Sequence, residues 1–162
     1  MNMEIMTGYL PGALGRVVEL HGAYYGRQAG FGLYFESKVA CELSEFVRRL
    51  ESERDGLWLA LSNGRIEGSI VIDGSGSEPN CAHLRWFIVS DALRGHGLGN
   101  ALITAALDFC RAHSYAKVYL WTFEGLHAAR HLYEKHGFRL TQQRRGQQWG
   151  TEVNEQRFEA LL

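Results

Sequence analysis

The feature that most constrains this chain is a run of apolar strand formers that breaks into alternating glycines and reopens as a helix. It reads Trp86-Phe87-Ile88-Val89-Ser90-Asp91-Ala92-Leu93-Arg94-Gly95-His96-Gly97-Leu98-Gly99-Asn100. Leu98, Leu102, Ala106 and Cys110 then recur four apart, with Ile103 and Leu107 beside them, so a helix starts at the last glycines. The first turn of a helix leaves backbone N–H groups unpaired at the positive end of its dipole. Gly95, Gly97 and Gly99 lack a Cβ, so an anion can come close to that backbone. The pattern is not a dinucleotide fingerprint, because Asn100 stands where G-x-G-x-x-G needs its last glycine, and no Gly-Lys-Ser/Thr follows to make a P-loop. Alternating glycines of this kind also occur in purely structural turns.

The flanking segments supply a sheet and its cover. Residues 12–29 place Leu14, Val17, Val18 and Tyr25 at helical offsets, and Val39, Leu43, Phe46, Val47 and Leu50 form the apolar face of a second helix. An aromatic stretch, residues 30–36, lies between them. Residues 57–61 and 66–72 are apolar runs joined across Asn63-Gly64, a hairpin signal because both residues tolerate positive φ. Further strands are expected at 81–90, 117–123, 138–144 and 153–161, the last as an edge or half-exposed strand because its pattern is polar on both faces. Two helices, three strands, helix, strand, helix and two strands predict a mixed α/β fold with helices on the faces of the sheet. With 162 residues and no internal linker, the chain reads as one domain spanning 1–162.

Bulk composition removes several function classes. Seventeen Lys+Arg against eighteen Asp+Glu give no basic excess, so nucleic acid is not expected as a partner. Cys41, Cys81 and Cys110 form no CxxC pair and suggest neither a zinc site nor a disulfide framework. His127 and His131 have ligand spacing, but Ala128 takes the Glu position of HExxH and no third ligand is evident; no metal is expected. With no signal peptide and no long apolar run, a cytoplasmic protein without membrane contact is expected.

Read as Arg-x-x-Gly-x-Gly, residues Arg94, Gly97 and Gly99 resemble the acetyl-CoA signature of the GNAT N-acetyltransferase superfamily. Ala129-Arg130-His131-Leu132-Tyr133-Glu134-Lys135-His136-Gly137-Phe138 is similar to that family's A-x-x-L-Y-x-x-x-G-F stretch. His21-Gly22-Ala23-Tyr24-Tyr25, Leu84 to Val89, Leu120-Trp121-Thr122-Phe123 and Trp149-Gly150 further resemble a bacterial subgroup, some members of which are fused to a winged-helix regulator; 162 residues leave no room for that second domain. The resemblance implies a mixed, mostly antiparallel sheet with a splayed central parallel strand pair, flanked by about four helices. It implies acetyl-CoA as cosubstrate. The backbone of Phe87, Ile88 and Val89 would hold the pantetheine arm, and the amides of Arg94, Gly95, His96, Gly97, Leu98 and Gly99 the pyrophosphate. Tyr133 would stand near the thioester sulfur as general acid.

The chemistry asks for an unprotonated amine, a site for the oxyanion and a proton for the leaving thiolate. A phenol suits the last task, although Tyr133 also shares a helix face with Leu126, Ala129 and His136 and could serve packing alone. Backbone N–H near Ile88 or Val89 could serve the oxyanion. The strand before the glycines, His83 to Phe87, has no carboxylate to act as base, which leaves Glu36, Glu124 and His21 as candidates. Tyr24, Tyr25, Phe31, Tyr34 and Phe35 lie where this fold roofs the acceptor site; among them Tyr25, Phe31 and Phe35, with His21 and Glu124, are the expected substrate contacts. The expectation is acetyl transfer to the primary amine of a small molecule, by an enzyme of a superfamily that commonly forms homodimers. A catalytically silent coenzyme-binding domain and a peptide or protein N-acetyltransferase are the alternatives.

Overall fold

The Asn63-Gly64 hairpin anchors one end of the sheet. In the computed structural model, which describes residues 2–162, Asn63 and Gly64 take φ of 51° and 80° and join β2 (Gly56–Ser62) to β3 (Arg65–Asp73). The preceding elements are β1 (Met3–Thr7), α1 (Ala13–Ala29) and α2 (Leu33–Arg49); after β3 come β4 (Cys81–Val89), a 3₁₀ turn (Asp91–Leu93), α3 (Leu98–Ala112), β5 (Lys117–Phe123), α4 (His127–Lys135), β6 (Arg139–Gly146) and β7 (Val153–Leu161). The seven strands form one sheet in the order β1-β2-β3-β4-β5-β7-β6, antiparallel throughout except for β4 beside β5. This is the mixed architecture that the resemblance implies.

Side-chain alternation explains the layering. Trp58, Ala60, Ile70 and Ile72 point to one face and pack with Leu102, Ile103 and Leu107 of α3 and Tyr133 of α4. Leu57, Leu59, Leu61 and Val71 point to the other, against Val17 of α1 and Leu43 and Phe46 of α2. Both faces of β2 and β3 are covered, which is why their sequences are continuous apolar runs and not alternating ones. No described helix is long and apolar enough to cross a membrane.

The element order read from the sequence changes at two places. The segment 3–7 is a strand, paired along the outer side of β2; its MEIMT sequence is short and lacks clear alternation. The aromatic linker is largely helix, because α2 begins at Leu33. Of the two alternatives for 153–161, edge or half-exposed, the structure has the half-exposed one: β6 is the edge, and β7 lies between β5 and β6 with buried and partly exposed residues along it. Its Glu155 is 1% exposed yet satisfied, accepting from Arg144 Nε at 2.9 Å and from the Gln148 amide at 3.0 Å. Burial would raise that carboxyl, but these hydrogen bonds outweigh it and hold Glu155 below its ordinary value.

Candidate active site

The central strand pair holds together over three residues only. Cys81, Ala82 and His83 pair with Lys117, Val118 and Tyr119, after which β4 and β5 diverge. A bulge opposite β3 promotes this: the register shifts between Ser69 and Val71, Trp86 takes a φ of 45°, and Ser69 Oγ donates to the Trp86 carbonyl at 2.7 Å. The remainder of β4 therefore keeps one edge free of β5, and a cleft of about 160 Å³ occupies the gap. Aromatic rings form one wall. Phe31 lies 5.1 Å from Phe35 and 5.2 Å from Phe123, and Phe123 lies 5.6 Å from Trp149 between ring centroids. Tyr25 adds a fifth ring, 5.2 Å from Phe35. The expected contacts His21, Tyr25, Phe31 and Phe35 all line this cleft, as do Phe87 and Tyr133.

The glycine turn lies at the end of β4. Gly95 and Gly97 have φ of 82° and 81°, and a Cβ on either would meet no protein atom within 4 Å. No protein oxygen accepts from the amides of residues 95–100 among the described residues; the first helical bond in this segment runs from Ala101 to Gly97. Free donors at the start of a fifteen-residue helix, next to the exposed residues 95–97, fit the pyrophosphate of coenzyme A. Arg94 differs from its expected role, since its amide closes the preceding 3₁₀ turn on Asp91 at 3.5 Å. Its guanidinium folds back, donating to the Val89 carbonyl at 3.0 Å and lying 4.1 Å from the Tyr24 ring centroid. Together with the Arg27–Asp91 ion pair, it braces the cradle against α1.

Tyr133 reaches the cleft from α4. Its ring is 7% exposed and packs 6.1 Å from Phe87, 5.9 Å from Phe138 and 6.1 Å from Phe158. Gly137, at φ 91°, ends that helix by turning left-handed just before Phe138. The Tyr133 hydroxyl has no hydrogen-bond partner among the described residues, yet it is not sealed from the cleft. Burial pushes the phenol well above its ordinary range, and the neighbouring phenols Tyr25 and Tyr24 add to this. It therefore carries its proton at every working pH.

His21 is the second ionisable group on the cleft. It is 4% exposed, and its Nδ1 lies 2.8 Å from the Val17 carbonyl, which can only accept. Nδ1 is thus assigned the proton, and Nε2 keeps a lone pair. Burial pushes the imidazole down to about 4, against a smaller raising effect of the Val17 bond. Because the unfolded chain takes up a proton that folded His21 refuses, stability should fall as pH drops from 6.5 toward about 4. The loss attributable to this residue is about 3 kcal/mol at the bottom of that window. Urea titrations should show the wild type losing about 3 kcal/mol more than His21→Gln between pH 6.5 and about 4; equal losses would mean that the ring is accessible to protons in the fold.

Two expected residues fall elsewhere. Glu36 sits exposed in the first turn of α2, against Gly22 of α1, where a Cβ would come within 2.7 Å of its Oε1; it does not line the cleft. Glu124 is exposed beyond β5 and accepts from Asn154 Nδ2 at 3.3 Å, also outside the cleft. The packing of α1 on α2 turns His21 inward and Glu36 outward. His96 is exposed on the cradle, while His127 and His131 are exposed on α4. Cys110 is fully buried, and burial pushes its thiol up to about 12, which leaves it inert. Sequence reasoning missed Lys38, Glu42, Arg85 and His83, which also line the cleft, and gave Trp149 no role. A charged Arg85 inside an apolar strand was the one local signal.

A model of the acetyltransferase (GNAT) family matches residues 17–138. The N-acetylaspartate synthetase of Rattus norvegicus is 37% identical over 117 residues, covering 72% of this chain, and that of Homo sapiens is 29% identical over 136 residues, covering 83%. The chain spans only 38% and 43% of the length of those two relatives. Among solved structures, an acetyltransferase from Streptococcus agalactiae superposes with a TM-score of 0.77 at 22% identity, covering 99% of this chain and 98% of that one. An acetyltransferase from Salmonella typhimurium, solved with its cofactor acetyl-CoA, gives 0.76 at 16% identity, with 100% and 95% covered. These two share the fold. The family match, over the segment that builds the splayed strands, the glycine cradle and the tyrosine helix, places this chain among the GNAT acetyltransferases.

Proposed function

We propose that this enzyme transfers the acetyl group of acetyl-CoA to the primary amine of a small molecule, with Tyr133 as general acid. The observation that carries the reading is the unpartnered Tyr133 hydroxyl facing the gap between β4 and β5, with the free amides of residues 95–100 beyond the end of β4. Those amides would hold the pyrophosphate, and the open edge of Phe87, Ile88 and Val89 the pantetheine arm. The amine comes from the side lined by α1 and α2. A cleft of about 160 Å³, walled by rings, has room for a small acceptor, and relatives named for N-acetylaspartate support a small amine over a protein.

Bound there, acetyl-CoA supplies an activated acyl thioester for direct attack by the amine. Tyr133 gives its phenolic proton to the departing sulfur as the C–S bond breaks. His21 Nε2 takes the proton shed by the nitrogen as the C–N bond forms. A weak base suffices, because that nitrogen becomes strongly acidic once bonded to the acyl carbon. Backbone N–H near Ile88 or Val89 stabilises the oxyanion. Exchange with solvent then returns the proton from His21 to Tyr133, so the protein ends as it began.

The test is thiol release from acetyl-CoA with a panel of amines: amino acids, polyamines, aminoglycosides and a short peptide. Release with a small amine is expected. Coenzyme binding without release from any of them would instead favour a silent binding domain, and preference for the peptide would favour a protein acceptor.

A further inference from the structure

Beside the rings the cleft also carries charge, from Lys38 and Glu42 of α2 and Arg85 of β4. Glu42 of α2 divides its two oxygens between Lys38 Nζ at 2.6 Å and Arg85 Nη2 at 2.6 Å. Behind them, Asp73 Oδ2 takes Arg85 Nη1 at 3.3 Å and Arg49 Nη2 at 2.8 Å. Burial would raise the Asp73 carboxyl, but hydrogen bonds from Arg49 and Ser75 outweigh it and hold the group well below the usual carboxylate range. Three basic side chains thus meet two acidic ones, which leaves a surplus positive charge.

The cations also keep free donors. Arg85 lies over Trp86, its guanidinium carbon 4.0 Å from the ring centroid, and has more N–H groups than Glu42 and Asp73 consume. Lys38, with a side chain 32% exposed, spends one ammonium donor on Glu42. A ligand carboxylate at this point would complete both groups and neutralise that surplus.

We infer that the acceptor is an amino acid with an apolar or aromatic side chain, its carboxylate held by Arg85 and Lys38 and its side chain seated among Phe31, Phe35, Phe123 and Trp149. The inference rests on the proposed N-acetyl transfer and adds its substrate class. An amine without a carboxylate leaves that surplus unpaired. An acidic side chain seated there would be pressed against Phe31, Phe35 and Phe123, which offer it no donor, and this disfavours it.

Matched acceptors separate the terms. Thiol release would be measured with phenylalanine, phenylalanine amide, 2-phenylethylamine and aspartate. Phenylalanine should exceed 2-phenylethylamine and the amide in kcat/KM by about 10- to 100-fold, the worth of charge-assisted hydrogen bonds, and should also exceed aspartate. Lys38→Gln, on the helix surface, should shrink the ratio of phenylalanine to 2-phenylethylamine several-fold, and Arg85→Lys should do the same through lost bidentate geometry. Equal rates for phenylalanine and 2-phenylethylamine, a preference for aspartate, or a ratio unmoved in both variants would overturn the inference and leave N-acetyl transfer standing. Absence of release from every amine would remove both.

Discussion

Tyr133→Phe should lower turnover by about 10²-fold or more while leaving acetyl-CoA affinity nearly unchanged. The substitution deletes one oxygen and keeps the ring that packs among Phe87, Phe138 and Phe158. Since the hydroxyl bonds no protein group among the described residues, its removal orphans nothing, and the stability change should stay within about 1 kcal/mol. A fall in kcat without a fall in melting temperature is thus the signature of lost proton donation. Because burial holds the phenol above its ordinary range, the wild-type rate should not decline through Tyr133 ionisation up to mildly alkaline pH. Stopped-flow and steady-state thiol release measure both quantities. Near-normal turnover in the variant would take the acid role from this residue.

Gly97→Val should weaken coenzyme binding by about 100-fold or more, from two physical causes. Gly97 caps α3 with φ 81°, a conformation that a β-branched residue enters only at a cost of about 1–2 kcal/mol or more. Its new side chain would meet no protein atom near Cβ, so the protein itself leaves room for it and a clash would arise only with the incoming phosphates. A control separates strain from blockage. Gly12 caps α1 at φ 92° with equally open surroundings but far from any cradle in the sequence. Gly12→Val should lose comparable stability and retain coenzyme affinity. Calorimetric titration of both variants with acetyl-CoA reads the difference; an unaltered affinity for Gly97→Val would count decisively against the cradle.

Local sterics made much of this molecule readable before any coordinates. The Asn63-Gly64 turn, the four-residue spacing from Leu98 to Cys110 and the glycine elbow each depend on neighbours within one turn of chain, so their residue types state their geometry. The glycine turn at the start of α3 and the helix that bears Tyr133 followed because each is a contiguous motif. The acceptor side did not, since it depends on distances between elements. Lys38 and Glu42 stand one helical turn apart on a polar face that reads like any solvated helix surface; only the fold brings them to Arg85, more than forty positions onward. Trp149 meets Phe31 and Phe123 across the sheet for the same reason. The choice of His21 over Glu36 turned on the rotation of α1 against α2, which no periodicity encodes. Likewise β7 is polar yet internal, because Arg144 and Gln148 arrive from the adjoining hairpin arm to satisfy Glu155. Sequence pattern specifies what a segment becomes through short-range sterics; which side chains share a cleft is set by long-range packing, and here that packing brings Lys38, Glu42 and Arg85 together beside the rings.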